Sequence, residues 1–167
     1  LKAARILLKD FPNVSYWLWD IRRLPLPFKN DQFDKIVCYS VIHYLGDFTE
    51  FRSLILDLLR IVKPGGNIFI GDIPLMEKAE EYLSERKSHR FKILWPSIKY
   101  YSRKFTTDLI YKFSGISSTE VRGLAYSQKS IADTLKTFEG IDYFFSAQDP
   151  RLPFANSRED LLIIRRK

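Results

Sequence analysis

A chain of 167 residues, 46% hydrophobic and 15% aromatic, fits one domain with a sizeable core. It contains no run of about 18 apolar residues, which excludes a membrane-spanning helix. The net charge of +7 is uneven: residues 1–74 carry 10 basic and 8 acidic groups, residues 75–105 carry 8 and 4, and residues 106–167 carry 9 and 8. A basic middle segment of this kind either faces water or draws an anionic substrate, nucleic acid or membrane surface.

The opening residues, Leu1-Lys2-Ala3-Ala4-Arg5-Ile6-Leu7-Leu8, are already in helical rhythm and no initiating Met precedes them. An N-terminally truncated chain is therefore the expectation. The helix stops near Pro12-Asn13, and Val14-Ser15-Tyr16-Trp17-Leu18-Trp19 follows as an aromatic-rich strand ending at Asp20. A carboxylate just past the carboxyl end of such a strand sits where open α/β sheets bind ligands; it is equally placed to cap the next turn. Leu24-Pro25-Leu26-Pro27 interrupts regular structure, and Lys29-Asn30-Asp31-Gln32 makes a polar turn.

Residues 33–73 form the most legible stretch. Two short apolar runs, around Ile36-Val37-Cys38 and Ile68-Phe69-Ile70, suit strands buried on both faces of a parallel sheet. Between them Phe51, Leu54, Ile55, Leu58, Leu59 and Val62 recur at helical spacing, with Asp47 or Thr49 as the cap and Lys63-Pro64-Gly65-Gly66 as the stop. The product is a βαβ unit, with Ser40, His43 and Tyr44 carried to the carboxyl edge of its first strand. His43 there is either a general base or a structural hydrogen-bonding group. Cys38, inside an apolar run and alone in the chain, reads as core packing and favours a reducing, cytoplasmic setting. Two histidines and one cysteine, widely separated, give no metal-ligand spacing.

Beyond the second strand, residues 76–92 form a charged amphipathic helix with Ala79, Tyr82 and Leu83 inward, and His89 among cations is read as solvated. Residues 91–105 mix aromatic and basic side chains, including Trp95, Tyr100 and Tyr101. This segment packs as a lid, contacts a small substrate, or stacks on nucleic acid. Thr106-Thr107-Asp108 caps a short helix to Phe113. Another helix begins at Ser127-Gln128, places Ile131, Leu135 and Phe138 on one face and stops at Gly140. Residues 141–147 and 160–164 read as two strands joined by a loop, and Arg165-Arg166-Lys167 as a solvated tail.

Taken together, Trp19-Asp20, Leu26-Pro27-Phe28, Asp31-Gln32-Phe33-Asp34-Lys35-Ile36-Val37, Val41-Ile42-His43-Tyr44-Leu45 and Leu59-Arg60-Ile61-Val62-Lys63-Pro64-Gly65-Gly66 resemble the class I S-adenosylmethionine-dependent methyltransferases, in particular the small-molecule, type 11-like branch. The resemblance covers residues 14–73 in order. It implies an α/β fold: a Rossmann-like methyltransferase sheet lacking its first two strands, with a helical insertion after the fifth strand and a C-terminal antiparallel strand pair. Residues 1–167 would be one partial methyltransferase domain and 75–126 a lid-like insertion within it. The cofactor implied is S-adenosylmethionine, with Asp20 accepting from the adenine amino group, the Ile21 backbone N–H meeting the ring, and Tyr39 and Ser40 beside the methionine portion.

His43 is then the candidate general base, and Trp95, Tyr100 and Tyr101 the candidate substrate contacts. Two departures stand out: residues 20–26 are about two longer than the family's spacing, and Tyr44 stands where many relatives have a second histidine. The family's glycine-rich turn and ribose-binding acid have no counterpart in the sequence. In the family's sheet order, 3-2-1-4-5-7-6, two absent strands would separate the 14–19 strand from the 35–39 strand by about 14 Å, too far to pair. The expected activity of the full-length protein is methyl transfer to a small-molecule acceptor, this piece alone being inactive. The alternatives are a non-catalytic module of the same fold, or nucleic-acid binding through residues 75–105.

Overall fold

Strand β1 (Phe33–Tyr39), helix α2 (Phe48–Ile61) and strand β2 (Val62–Pro74) form the expected βαβ unit in a computed structural model that describes residues 2–78, 126–152 and 154–167. Helix α1 (Lys2–Leu7) precedes them; helix α3 (Gln128–Leu135) and strands β3 (Ile141–Ala147) and β4 (Arg158–Arg165) follow. The four strands form one sheet in the order β1-β2-β4-β3. β1 and β2 are parallel, and β4 runs antiparallel to both β2 and β3. This is the family's 4-5-7-6 order, with the antiparallel pair at the end of the chain.

Helix α2 starts where the sequence predicts. The Asp47 carboxylate accepts from the Glu50 N–H at 2.8 Å, and the Glu50 carboxylate accepts in return from the Gly46 N–H at 2.7 Å. Its buried face is Phe51, Leu54, Ile55, Leu58 and Ile61. That face lies on the sheet side where cross-strand rows align, Ile36 beside Ile68 and Ile163, and Cys38 beside Ile70 and Leu161. α3 adds Ile131 and Leu135 to the same core. The helix-stop residues do more than end α2. β2 starts directly at Val62, and Pro64-Gly65-Gly66 lies inside it where the register with β1 shifts between Phe33 and Lys35.

Two expectations fail. Residues 14–19 form no strand, because they pair with no other described segment and a strand exists only through a ladder. Trp17 and Leu18 are mostly exposed, and the Trp17 ring meets Phe28 of the following loop edge-on at 5.6 Å. β1 is also not buried on both faces: Val37 is 71% exposed, so the strand alternates instead of burying every side chain.

The C-terminus is less solvated than its charge suggests. Arg165 belongs to β4, and its Nη1 donates to the Leu59 and Val62 carbonyls at 3.0 and 2.6 Å, satisfying the end of α2. Arg166 pairs with Asp142 at 2.6 Å. On the other side of α2, Asp57 and Arg60 hold the proline-rich loop. Asp57 accepts from the Leu26 N–H at 2.7 Å, and Arg60 donates to the Phe28 carbonyl at 2.7 Å and the Leu26 carbonyl at 3.1 Å. Cys38 is buried, which pushes its thiol up to about 11 and leaves it inert.

Candidate active site at the carboxyl edge of the sheet

β1 ends just before Ser40, φ 55°, and its pairing with β2 ends beside Asp72, φ 63°, inside β2; both are non-glycine residues in the left-handed region. Each such conformation costs roughly 1–2 kcal/mol, so its occurrence at two neighbouring positions marks an edge held in place by its surroundings. The surroundings are polar. Ser40 Oγ donates to Asp72 Oδ2 at 2.5 Å, and the Asp72 N–H donates to Asp160 Oδ1 at 2.9 Å instead of to a ladder carbonyl. The β2–β4 register shifts at this point, between Ile70 and Ile73, and the bulge turns Asp72 toward Ser40. Arg158 stands beside it, with Nε 3.7 Å from Asp72 Oδ1 and Nη1 3.3 Å from the Asp72 carbonyl.

Gln148, past the end of β3, completes the edge. Its Nε2 donates to Asp160 Oδ1 at 2.9 Å and lies 3.4 Å from the Tyr39 hydroxyl. The Tyr39 ring passes over Gly71, where an added Cβ would lie 2.3 Å from Tyr39 Cδ2. Only glycine leaves the ring that space. Nearby, Lys78 donates to Glu159 at 2.9 Å.

His43 sits in a 3-10 turn (Ile42–Tyr44) between buried Ile42 and Leu45. Tyr126, fully buried, fixes that turn by donating its hydroxyl to the Ile42 carbonyl at 2.7 Å, and burial raises its phenol pKa. Burial also lowers the His43 pKa; the Arg158 charge acts in the same direction and the Asp72 charge opposes. The imidazole is therefore neutral at physiological pH, and its Nδ1 is buried without a hydrogen-bond partner. A neutral, unpartnered imidazole nitrogen can accept a proton.

The structure gathers Tyr39, Ser40 and His43 at one edge, as expected. Asp20 is engaged separately: its carboxylate takes Arg22 in a two-point contact, Oδ1 from Nε and Oδ2 from Nη2, both at 3.0 Å, which lowers its pKa to about 2. It also accepts the Arg22 backbone N–H, so the turn-capping reading holds for part of its capacity. Its side chain stays 39% exposed. Ile21 packs against the core. Trp95, Tyr100, Tyr101 and His89, the helix expected over 106–113, and all of the helix expected over 76–92 except its first three residues, a 3-10 turn (Met76–Lys78), lie outside the described residues.

Both ends of the 75–126 segment are described, and they meet. The Met76 N–H donates to the Tyr126 carbonyl at 2.8 Å, and the Tyr126 N–H to the Pro74 carbonyl at 2.9 Å. Glu77 then caps α3 by accepting the Gln128 N–H at 3.1 Å. The two described ends of the segment therefore lie together, with Tyr126 against the turn that carries His43.

Sequence reasoning missed Asp72, Gln148, Arg158 and Asp160. A signal existed for two of them: in an antiparallel pair the start of β4 must lie beside the end of β2, so polar Arg158 and Asp160 at the start of an apolar strand belong to the same rim. An open groove of about 880 Å³ lies elsewhere, between α2 and Phe138, with Arg52, Leu56 and Arg60 in its lining. It shares no residue with the carboxyl edge.

A methyltransferase domain family matches residues 1–70. Nodulation protein S of Rhizobium tropici is 34% identical over 59 residues, which are 35% of this chain and 24% of that protein. Among solved structures, the N-methyltransferase NodS from Bradyrhizobium japonicum WM9, in complex with S-adenosyl-L-homocysteine, aligns with 99% of this chain and 60% of its own at 16% identity and a TM-score of 0.52. A SAM-dependent methyltransferase from Methanosarcina mazei aligns with 91% of this chain and 66% of its own at 14% identity and a TM-score of 0.51. The chain thus spans about a quarter of the curated relative and three-fifths of NodS. Residues 1–70 match a methyltransferase domain family, and the described strands share the fold of these solved methyltransferases.

Proposed function

We propose that the full-length protein transfers a methyl group from S-adenosylmethionine to a small-molecule acceptor. The observation that carries this reading is the carboxyl edge itself: on a methyltransferase sheet order, two left-handed residues, a neutral imidazole and a fixed polar cluster converge beside the base of the 75–126 segment. When bound beside Asp20, Ile21, Tyr39 and Ser40, the cofactor would supply an electrophilic methyl carbon to the acceptor's lone pair. The residues present fit such a cofactor. Asp20 is ionised and exposed enough to accept a further N–H from an adenine amino group, with the Ile21 backbone beside it. Ser40 has committed its proton to Asp72 and offers lone pairs, and Tyr39 flanks it.

The chain's own work is positioning and proton handling. His43 takes the proton that the acceptor's nucleophilic atom must lose, Tyr126 holds the turn that aims His43, and residues 75–126 cover the reacting groups from water as a lid carrying Trp95, Tyr100 and Tyr101. The setting proposed is cytoplasmic, consistent with a lone reduced cysteine. Isothermal titration of the full-length protein tests the reading: S-adenosylmethionine and S-adenosylhomocysteine are expected to bind, and absence of both heats returns the chain to a non-catalytic module. Nucleic-acid binding through residues 75–105 requires affinity that falls steeply with salt, and a salt-independent response removes it.

A further inference from the structure

Among the described residues, Asp160 is a carboxylate without a counter-ion. Asp72 has Arg158 and Glu159 has Lys78, whereas Asp160, partly buried, is in no ion pair among the described residues. Its Oδ1 accepts two neutral donors, the Asp72 N–H and Gln148 Nε2. Gln148 is buried, with 5% of the residue exposed, and its amide orientation is fixed by that contact, since a carboxylate only accepts. The amide oxygen Oε1 is left buried and without a donor, as is Glu159 Oε2. Ser40, its proton given to Asp72, likewise presents only lone pairs. Among the described residues the edge therefore has an excess of acceptors and one uncompensated negative charge, an arrangement that costs free energy until a donor-rich cation arrives.

We propose that Asp160, Gln148 and Ser40 form the recognition point for a protonated amine on the methyl acceptor. The inference rests on the methyl-transfer reading and adds the acceptor's chemical class. An ammonium group supplies one positive charge and up to three N–H donors, matching one carboxylate, one amide oxygen and one hydroxyl oxygen. A divalent metal ion fits less well: no group of three or more His, Cys, Asp or Glu among the described residues could hold one, and the Arg158 cation stands beside Asp72. The chemistry balances. An ammonium has no lone pair, so R–NH3⁺ first gives one proton to the neutral His43 imidazole and becomes R–NH2. The amine lone pair then bonds to the methyl carbon as the carbon–sulfur bond breaks, leaving R–NH2⁺–CH3 and a neutral thioether; the proton on His43 passes later to water.

The test uses the full-length protein saturated with S-adenosylhomocysteine, whose own affinity is measured first. Three probes of one skeleton are titrated: 2-phenylethylamine, 2-phenylethanol and the N,N,N-trimethyl derivative of the amine. The amine is expected to bind at least about tenfold more tightly than the alcohol and more tightly than the trimethyl ion, which lacks N–H donors. In Asp160→Asn the amine preference falls toward unity while S-adenosylhomocysteine affinity stays within about twofold, and Asp160→Glu restores part of the preference. Equal binding of amine and alcohol, binding of neither, or an undiminished preference in Asp160→Asn overturns the proposal. The trimethyl comparison needs no variant, so it decides the donor requirement even if Asp160→Asn fails to fold. Amine preference without S-adenosylhomocysteine binding sinks the methyl-transfer reading and leaves the cation site standing; the reverse result sinks the cation site alone.

Discussion

His43 is the residue on which the proposed chemistry turns, and its environment makes definite demands. Burial holds its pKa below the usual value near 6.5, so the rising limb of a rate–pH profile should lie below about pH 6.5, with full activity by neutrality. His43→Gln should lower kcat by about 10²–10⁴-fold and abolish that limb, as steady-state kinetics across pH 5–8 would show. The same shift has a stability sign. The unfolded imidazole binds a proton at higher pH than the folded one, so this group's contribution is intact above about pH 6.5 and is lost as pH falls through the lower folded value. Asp20 tests a different contact. Arg22 holds its pKa near 2, and Arg22→Ala should return it toward about 3.9, read by carboxyl-carbon NMR titration. An unmoved Asp20 would mean that the two-point contact does not persist in solution.

At the level of elements, the short turn carrying His43 depends on a residue far along the chain. Tyr126 closes the 75–126 segment against β2 and gives its hydroxyl to the Ile42 carbonyl, with Phe48 and Phe51 at ring-centroid distances of 5.4 and 5.2 Å. Tyr126→Phe keeps that aromatic packing and removes one of the two hydrogen bonds that the Ile42 carbonyl accepts, leaving the one from the Leu45 N–H at 3.1 Å. Urea unfolding should show a loss of about 0.5–1.5 kcal/mol, and activity should fall further than stability because the His43 turn loses its tie to Tyr126. The periodicity of α2 was legible because the same side chains that define the pattern form its buried face. The capping by Asp47 was also legible, because it is satisfied within three residues. Residues 14–19 were misread because β-branched and aromatic content reports a preference for strand geometry, while strand formation needs a neighbour that local sequence does not name. Arg165 was misread as solvated for a related reason: its partners, the Leu59 and Val62 carbonyls, lie about a hundred residues earlier.

Across the whole molecule, β2 and β4 are paired along both edges, whereas β1 and β3 have described partners along one edge each. Native-state hydrogen exchange should therefore find the most protected amides in β2 and β4, with alternate amides of β1 exchanging faster; greatest protection in β1 would contradict this sheet order. One side of the sheet carries the core under α2 and α3. The other presents an aligned row, Val37, Phe69, Leu162 and Phe144, whose two outer members are 71% and 57% exposed. The amino-acid sequence by itself determined the βαβ unit, the closing antiparallel pair and the family resemblance, because periodicity, caps and turn residues act over a few positions. It also determined that Tyr39, Ser40 and His43 leave one strand together. Only the tertiary structure decided what stands opposite them. Asp72, Gln148, Arg158 and Asp160 meet that edge through a bulge and an antiparallel register, and hydrogen bonds spanning 32 to 109 residues set their charge balance. Contacts of that range depend on how the strands are ordered, which no local pattern encodes.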